Sequence, residues 1–189
     1  NLMAPLGFFG EDDVPKPEDW AADEKGWLER TQTFMDDGSG YMHEQRTRPQ
    51  TLAFALNDSP AGLCSWILEK RRSWSDCGGE IERRFSKDDL CTTMTIYWVT
   101  QSFGTSARYY FEAAHNQWKP SHNRKPVVEA PTGIAVFLKE VILAPRKWAE
   151  RYYNLKRWTV MPSGGHFAPM EEPGRLVEDI RAFFRPLRG

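Results

Sequence analysis

The sequence predicts an α/β fold with an uneven order, a long helical segment first and two parallel strands with flanking helices last. Three stretches carry that prediction. Lys156-Arg157-Trp158-Thr159-Val160-Met161 is a short apolar run that reads as a strand stopping at Pro162. Pro126 to Leu138 reads as a turn followed by a second strand, with Glu140 just past its end. After the loop Ser163-Gly164-Gly165-His166-Phe167, Glu171-Glu172-Pro173 opens a helix, with proline near its first position and acids in its first turn. Leu176, Val177, Ile180, Phe183, Phe184 and Leu187 recur there at helical spacing and predict one buried face.

Before these strands the pattern is helical. Asn1 to Leu6 is a short apolar start that reads as the end of a strand, and Gly7 to Lys16 as a loop. A helix is predicted from about Pro17 to Met35, closed by Asp36-Asp37-Gly38-Ser39-Gly40. Tyr41 to Pro49 reads as a link into a short helix over Gln50 to Leu56. Asn57-Asp58-Ser59-Pro60 is a turn and cap signal that launches a helix over Ala61 to Ser73. Asp88 is expected to cap a helix running through Leu90, Met94, Tyr97, Trp98 and Val99, and Ser106 to His115 forms another. Trp118 to Lys125 is polar and contains proline, a boundary signal.

Composition narrows the function. The chain has 189 residues, 40% hydrophobic and 27% charged, as in an ordinary globular protein. A net charge of −1 without a lysine/arginine block argues against nucleic acid as a partner. No apolar run is long enough to span a membrane, and no signal-peptide pattern is present. The chain starts at Asn1 rather than a methionine, which points to processing or to a beginning that lies elsewhere. Cys64, Cys77 and Cys91 match no metal or redox spacing, so a reduced, cytoplasmic setting is expected. His43, His115 and His122 are scattered, and no metal site is expected. Six of the eight tryptophans fall within the first 118 residues, enough aromatic area for a core and for the wall of an apolar pocket.

His166 and Glu140 are the candidate chemistry. A lone histidine in a loop is ordinarily solvated or structural. If the two strands are parallel, however, Glu140 and His166 emerge at the same carboxyl edge, where open α/β sheets collect their ligands. An acid that precedes and orients a histidine in this chain order is the arrangement of the α/β-hydrolases. Two parallel strands alone leave sheet edges and faces uncovered, so the sequence reads as the second half of something larger.

Several segments make the likeness specific. They are Gly40-Tyr41-Met42-His43-Glu44-Gln45, Ala55 through Leu63, Trp66-Ile67-Leu68-Glu69-Lys70, Tyr97-Trp98 through Tyr109-Tyr110, Pro131-Thr132-Gly133, and Gly164-Gly165-His166-Phe167 with Glu171-Glu172-Pro173. Together they resemble the microsomal-type epoxide hydrolases of the α/β-hydrolase superfamily, in order and over almost the whole chain. The resemblance implies an α/β-hydrolase fold represented by its C-terminal portion. Residues 1–19 would be the end of a core strand and a linker, 20–122 a helical cap domain, and 123–189 the C-terminal part of the core.

It also implies a mechanism. In this family an aspartate opens the epoxide to an alkyl-enzyme ester, which a histidine-activated water then hydrolyses to a vicinal diol. His166 matches the general base and Glu140 the acid that orients it. Tyr41 and Tyr110 match the two cap tyrosines that hydrogen-bond the epoxide oxygen, with Tyr109 the neighbour to be told apart from Tyr110. Phe54, Leu63, Trp66, Ile67, Trp98 and Phe167 are candidates for the wall around a small apolar epoxide. The resemblance implies no cofactor and no metal.

The family's nucleophile sits in a Gly-Gly-Asp-Trp-Gly-like elbow and its oxyanion hole in a His-Gly-Trp-Pro-like loop. Neither occurs among these residues, and both are expected upstream of Asn1. Asp36, Asp37 and Asp58 lie in turn or cap contexts and are not expected to replace the elbow aspartate. The expected partner is therefore an upstream half, in the same polypeptide or another chain, with a homo-oligomer also open. Two other readings stand beside this one: another α/β-hydrolase activity on esters or carbon–halogen bonds, and a non-catalytic module that keeps the aromatic pocket.

Overall fold

The structure, a computed structural model, describes residues 14–116 and 119–188. The predicted strand end at Asn1 to Leu6 and the boundary residue Trp118 lie outside them. In order, the elements are α1 (Lys25–Thr33), α2 (Gly40–Thr47), α3 (Pro49–Asp58), α4 (Pro60–Ser73), α5 (Lys87–Thr100) and α6 (Phe103–His115). They are followed by β1 (Val128–Lys139), α7 (Arg146–Tyr152), β2 (Tyr153–Gly165), α8 (Ala168–Glu171) and α9 (Pro173–Phe184). The chain divides into two compact units. One comprises Asn1–Phe34 with Lys119–Gly189, and the other Met35–Trp118.

In the helical unit the ends of the helices follow local chemistry. The Ser59 hydroxyl accepts from the Gly62 amide at 3.0 Å, and Pro60 occupies the first helical position of α4, where a missing N–H is harmless. For α5 the cap is Ser86 rather than Asp88: Ser86 and Asp89 cap each other's backbone, with the Asp89 amide 3.1 Å from the Ser86 hydroxyl. Tyr41 to Thr47, expected as a link, is instead helical, because α2 gains a packing surface on α6 that the local sequence does not announce. The core holds Ala53, Leu56, Leu63, Phe103 and Ala107, with Trp66, Ile67, Tyr97 and Trp98 packed around it.

In the other unit, β1 and β2 pair in parallel and form a two-stranded sheet among the described residues. The predicted helix over Pro17 to Met35 is interrupted. A 3-10 turn covers Pro17–Asp19, α1 begins only at Lys25, and a π turn over Phe34–Gly38 follows it. The buried Glu24 side chain explains the late start: it accepts from the Ala21 amide at 3.0 Å and from the Arg146 amide at 3.1 Å, tying this turn to the start of α7. β2 also runs past Pro162 to Gly165, since a strand tolerates proline where no ladder bond is required of its nitrogen.

The C-terminal helix departs from its expected burial. Proline at the first position of α9 is as predicted, but Val177, Ile180, Phe184 and Leu187 are 43–48% exposed. A pair of strands spans only about 5 Å between backbones, half the width of a helix, so it covers part of the apolar stripe. What it covers is held firmly. The Asp179 carboxylate accepts from Arg157 and from the Thr159 hydroxyl, each at 2.7 Å, and a Cβ at Gly133 would come 2.8 Å from the Phe183 ring. The uncovered remainder borders an apolar groove of about 530 Å³ lined by Ile134, Trp158, Leu176, Ile180 and Phe183 among others.

Candidate active site

The register of the two strands assembles the first pair of candidates. Phe137 faces Met161 and Lys139 faces Gly165, so Leu138 on β1 stands against Pro162, Ser163 and Gly164 on β2. That bulge lets the longer strand end level with the shorter one. The next residues are Glu140 and His166, and their side chains meet, with His166 Nδ1 2.7 Å from Glu140 Oε1. An ionised carboxylate can only accept, so Nδ1 donates and the ring takes the tautomer with its lone pair on Nε2. The side chains of His166 and Glu140 are 21% and 15% exposed, shielded enough for the contact to outweigh an open surface ion pair. The Phe167 ring meets the imidazole edge-on, with centroids 5.0 Å apart.

Both ends of this pair are fixed through the main chain. Glu140 Oε1 also accepts from the Val141 amide at 2.7 Å. Arg30, on α1, donates to the carbonyls of Glu140 and Lys139 at 3.1 Å each. The buried Thr31 hydroxyl accepts from the Leu143 amide at 3.1 Å, so α1 braces the loop after β1. On the histidine side, Gly164 adopts φ +105°, and a Cβ there would lie 2.7 Å from the Phe137 ring, so only glycine fits. Glu172 accepts from the Ser163 hydroxyl at 2.7 Å. Glu171, 7% exposed, accepts from the amides of Gly165 and Phe167 at 3.0 and 2.9 Å, one on either side of His166.

Tyr41 and Tyr110 meet within the helical unit. Their rings are edge-to-face with centroids 5.9 Å apart, and Gln45 lies near the Tyr110 phenol. Burial pushes that phenol above its ordinary value; the polar influence of Tyr41 and Gln45 opposes the rise and nearby Tyr97 adds to it. The phenol therefore remains protonated across the neutral range. Tyr109 is 74% exposed and takes no part in this cluster, which separates it from Tyr110. Lys70 and Trp74 complete the surroundings of Tyr41: the ammonium lies 5.4 Å from the centre of its ring and the indole 4.9 Å.

The predicted wall residues scatter. Leu63 is 1% exposed and belongs to the helical core, where close packing accounts for it. Trp66, Ile67 and Trp98 pack against that core and remain partly exposed, whereas Phe54 is 74% exposed on α3. Phe167 packs edge-on against the His166 imidazole. Among the described residues no cluster of histidine, cysteine or acid side chains could hold a metal ion, and no helix is long and apolar enough to cross a membrane.

Glu171, Arg30 and Gln45 were not singled out by the sequence. Gln45 was recoverable, one helical turn from Tyr41. Glu171 is an acid four residues beyond a loop amide, a spacing that serves helix capping as readily, and the reach of Arg30 across 110 residues leaves no local trace.

A strand-end acid followed in the chain by a strand-end histidine, joined by a hydrogen bond, has the chain order of the acid and histidine of the α/β-hydrolases. No family model matches the sequence. Individual proteins do. A putative epoxide hydrolase of Stigmatella aurantiaca is 38% identical over 171 residues, which cover 90% of this chain and 38% of that protein. Epoxide hydrolase 1 of Oryctolagus cuniculus is 43% identical over 152 residues, covering 77% of this chain and 33% of that protein. The solved structure of Aspergillus niger epoxide hydrolase superposes with a TM-score of 0.75 at 30% identity, covering 91% of this chain and 42% of the other. The chain belongs to the epoxide hydrolases of the α/β-hydrolase family, as a C-terminal portion of that fold. It spans about two fifths or less of the length of these relatives.

Proposed function

We propose that this chain carries the base, its orienting acid and the oxygen donors of an epoxide hydrolase whose attacking carboxylate comes from sequence outside these residues. The carrying observation is the 2.7 Å contact between His166 Nδ1 and Glu140 Oε1, held at both ends through the main chain. The substrate is a small apolar epoxide, and the co-substrate is water.

In the first step the carboxylate attacks one epoxide carbon, and an ester C–O bond forms as the ring C–O bond breaks. The negative charge collects on the former ring oxygen. Tyr41 and Tyr110 donate hydrogen bonds to it and one supplies a proton; burial of Tyr110 suits it to this, because a protonated phenol donates. In the second step Nε2 of His166 takes a proton from water and the hydroxide adds to the ester carbonyl. Collapse of that adduct breaks the ester C–O bond, and the imidazolium returns its proton to the departing alkoxide to give the diol. The resulting carboxylic acid gives its proton to the tyrosinate, which restores carboxylate, phenol and neutral imidazole. Glu140 stabilises the imidazolium meanwhile, and covalent capture divides one hard step into two easier ones. The paired tyrosines favour epoxides over esters or haloalkanes, which leave no ring oxygen to be held. The free thiols of Cys64, Cys77 and Cys91 suit a reducing, cytoplasmic setting.

The exposed face of α9 and the adjoining groove support an upstream half as partner. The test is diol formation from styrene oxide by this chain alone, by the chain joined to the upstream half of a relative, and by the joined form carrying His166→Ala. The expected result is no turnover by the chain alone, turnover by the joined form, and a loss of about 10²–10⁴-fold in His166→Ala with substrate mass retained on the protein as ester. Turnover by the isolated chain, or a joined form indifferent to His166, would refute the proposal.

A further inference from the structure

Of the buried carboxylates that the mechanism above does not use, one flanks His166. Glu171 is 7% exposed, and its two oxygens accept from different amides, Oε2 from Gly165 and Oε1 from Phe167. These are the residues on either side of His166. The backbone that carries the imidazole is thus gripped from both sides by one side chain. A glutamate is long enough for this because Glu171 ends the four-residue helix α8, which folds back directly from the loop. The grip is independent of the ring: Glu140 holds Nδ1 of the imidazole, and Glu171 holds the peptide groups that aim the Cα–Cβ bond. Rotation of either peptide would swing the ring off Glu140, and with it the orientation of Nε2. A glutamine at 171 has one oxygen and one NH₂ group, so it would set a donor against one of the two amides. An aspartate keeps the charge but is one methylene too short to reach both.

We propose that Glu171 is a positioning residue for His166, a second carboxylate that fixes the base through the main chain. This deepens the proposed function, and its test does not depend on turnover. The measurement is NMR of the isotope-labelled chain, following solvent exchange of the His166 Nδ1 proton and the ring's ¹⁵N tautomer signature. In the unsubstituted chain, through-hydrogen-bond couplings from the Gly165 and Phe167 amides to the Glu171 carboxyl carbon are expected. In Glu171→Gln, Nδ1 proton exchange should accelerate about tenfold, the equivalent of one charge-assisted hydrogen bond, while the amide spectrum of the helical unit is unchanged. Asp179→Asn is the control: Asp179 is a carboxylate of similar burial that also accepts from two donors, but on Arg157 and Thr159 of the same strand, away from the loop. It should leave the ring signals in place.

An unchanged exchange rate in Glu171→Gln overturns the proposal. Equal acceleration in Asp179→Asn overturns it too, since any buried carboxylate would then serve. If Glu171→Gln does not fold, Glu171→Asp is read in the same way, and absent couplings in the unsubstituted chain are decisive against. Because the readout is the ring's hydrogen bond, inactivity of the joined enzyme on epoxides would count against the proposed reaction and not against this role.

Discussion

The two units hold their functional side chains by different means. In the strand-bearing unit, His166 and Glu140 are fixed by charged and backbone groups: Arg30 on carbonyls, Glu171 and Glu172 on the loop, Val141 on the acid itself. In the helical unit, Tyr41 and Tyr110 are held by aromatic packing, with Trp74 against one ring and Gln45 near the other. The difference follows the chemistry each pair is proposed to perform. A base must gain a proton and be stabilised as a cation, which calls for a carboxylate beside it. A donor must stay neutral, and burial of the Tyr110 phenol favours that.

The sharpest way to break this comparison is Glu140→Gln. Loss of the stabilising negative charge should lower kcat of the joined enzyme by roughly 10²–10⁴-fold and leave the circular dichroism intact. A loss below tenfold would mean that the main-chain contacts alone set the imidazole. Gly164→Ala comes next. Its Cβ would collide with Phe137 at a positive φ, so thermal denaturation should show the strand-bearing unit destabilised by about 2–4 kcal/mol, with the helical unit unaffected. Equal destabilisation of both units would merge what the comparison separates.

Smaller effects address the tyrosines. Tyr110→Phe should reduce the rate of alkyl-enzyme formation roughly tenfold to a hundredfold, whereas the exposed Tyr109→Phe should leave it unchanged. If the two substitutions behave alike, the Tyr41–Tyr110 cluster is only core. The smallest effect is on alkaline stability. The Tyr110 phenol is raised in the folded state above its unfolded value near 10, so its contribution is fully present below that pH and is lost as pH rises through the folded value. Tyr110→Phe should flatten that slope in the helical unit. Tyr153→Phe should do so in the strand-bearing unit, where burial raises the Tyr153 phenol in the same direction. Denaturation midpoints between pH 8 and 11 read both.

Much of the site was legible because it rests on local rules. The existence of the two strands, Ser59 before Pro60, and the acid-then-histidine order are all written within a few residues of themselves. Leu63, a candidate for a pocket wall, lies in the helical core, and a leucine on a helix carries no mark of which face will be buried deepest. The apolar stripe of α9 was read correctly as apolar, but periodicity does not say whether anything covers it.

By itself, then, the sequence determined both strands and most of the helices, the N-cap of α4 and the candidate acid–histidine pair, because backbone preference and side-chain chemistry are local properties. Only the tertiary structure decided that Lys139 stands opposite Gly165, that Glu171 reaches the amides on both sides of His166, and that Tyr110 rather than Tyr109 meets Tyr41. Register, reach and burial depend on contacts between segments far apart in the chain, and a short window of sequence does not contain them.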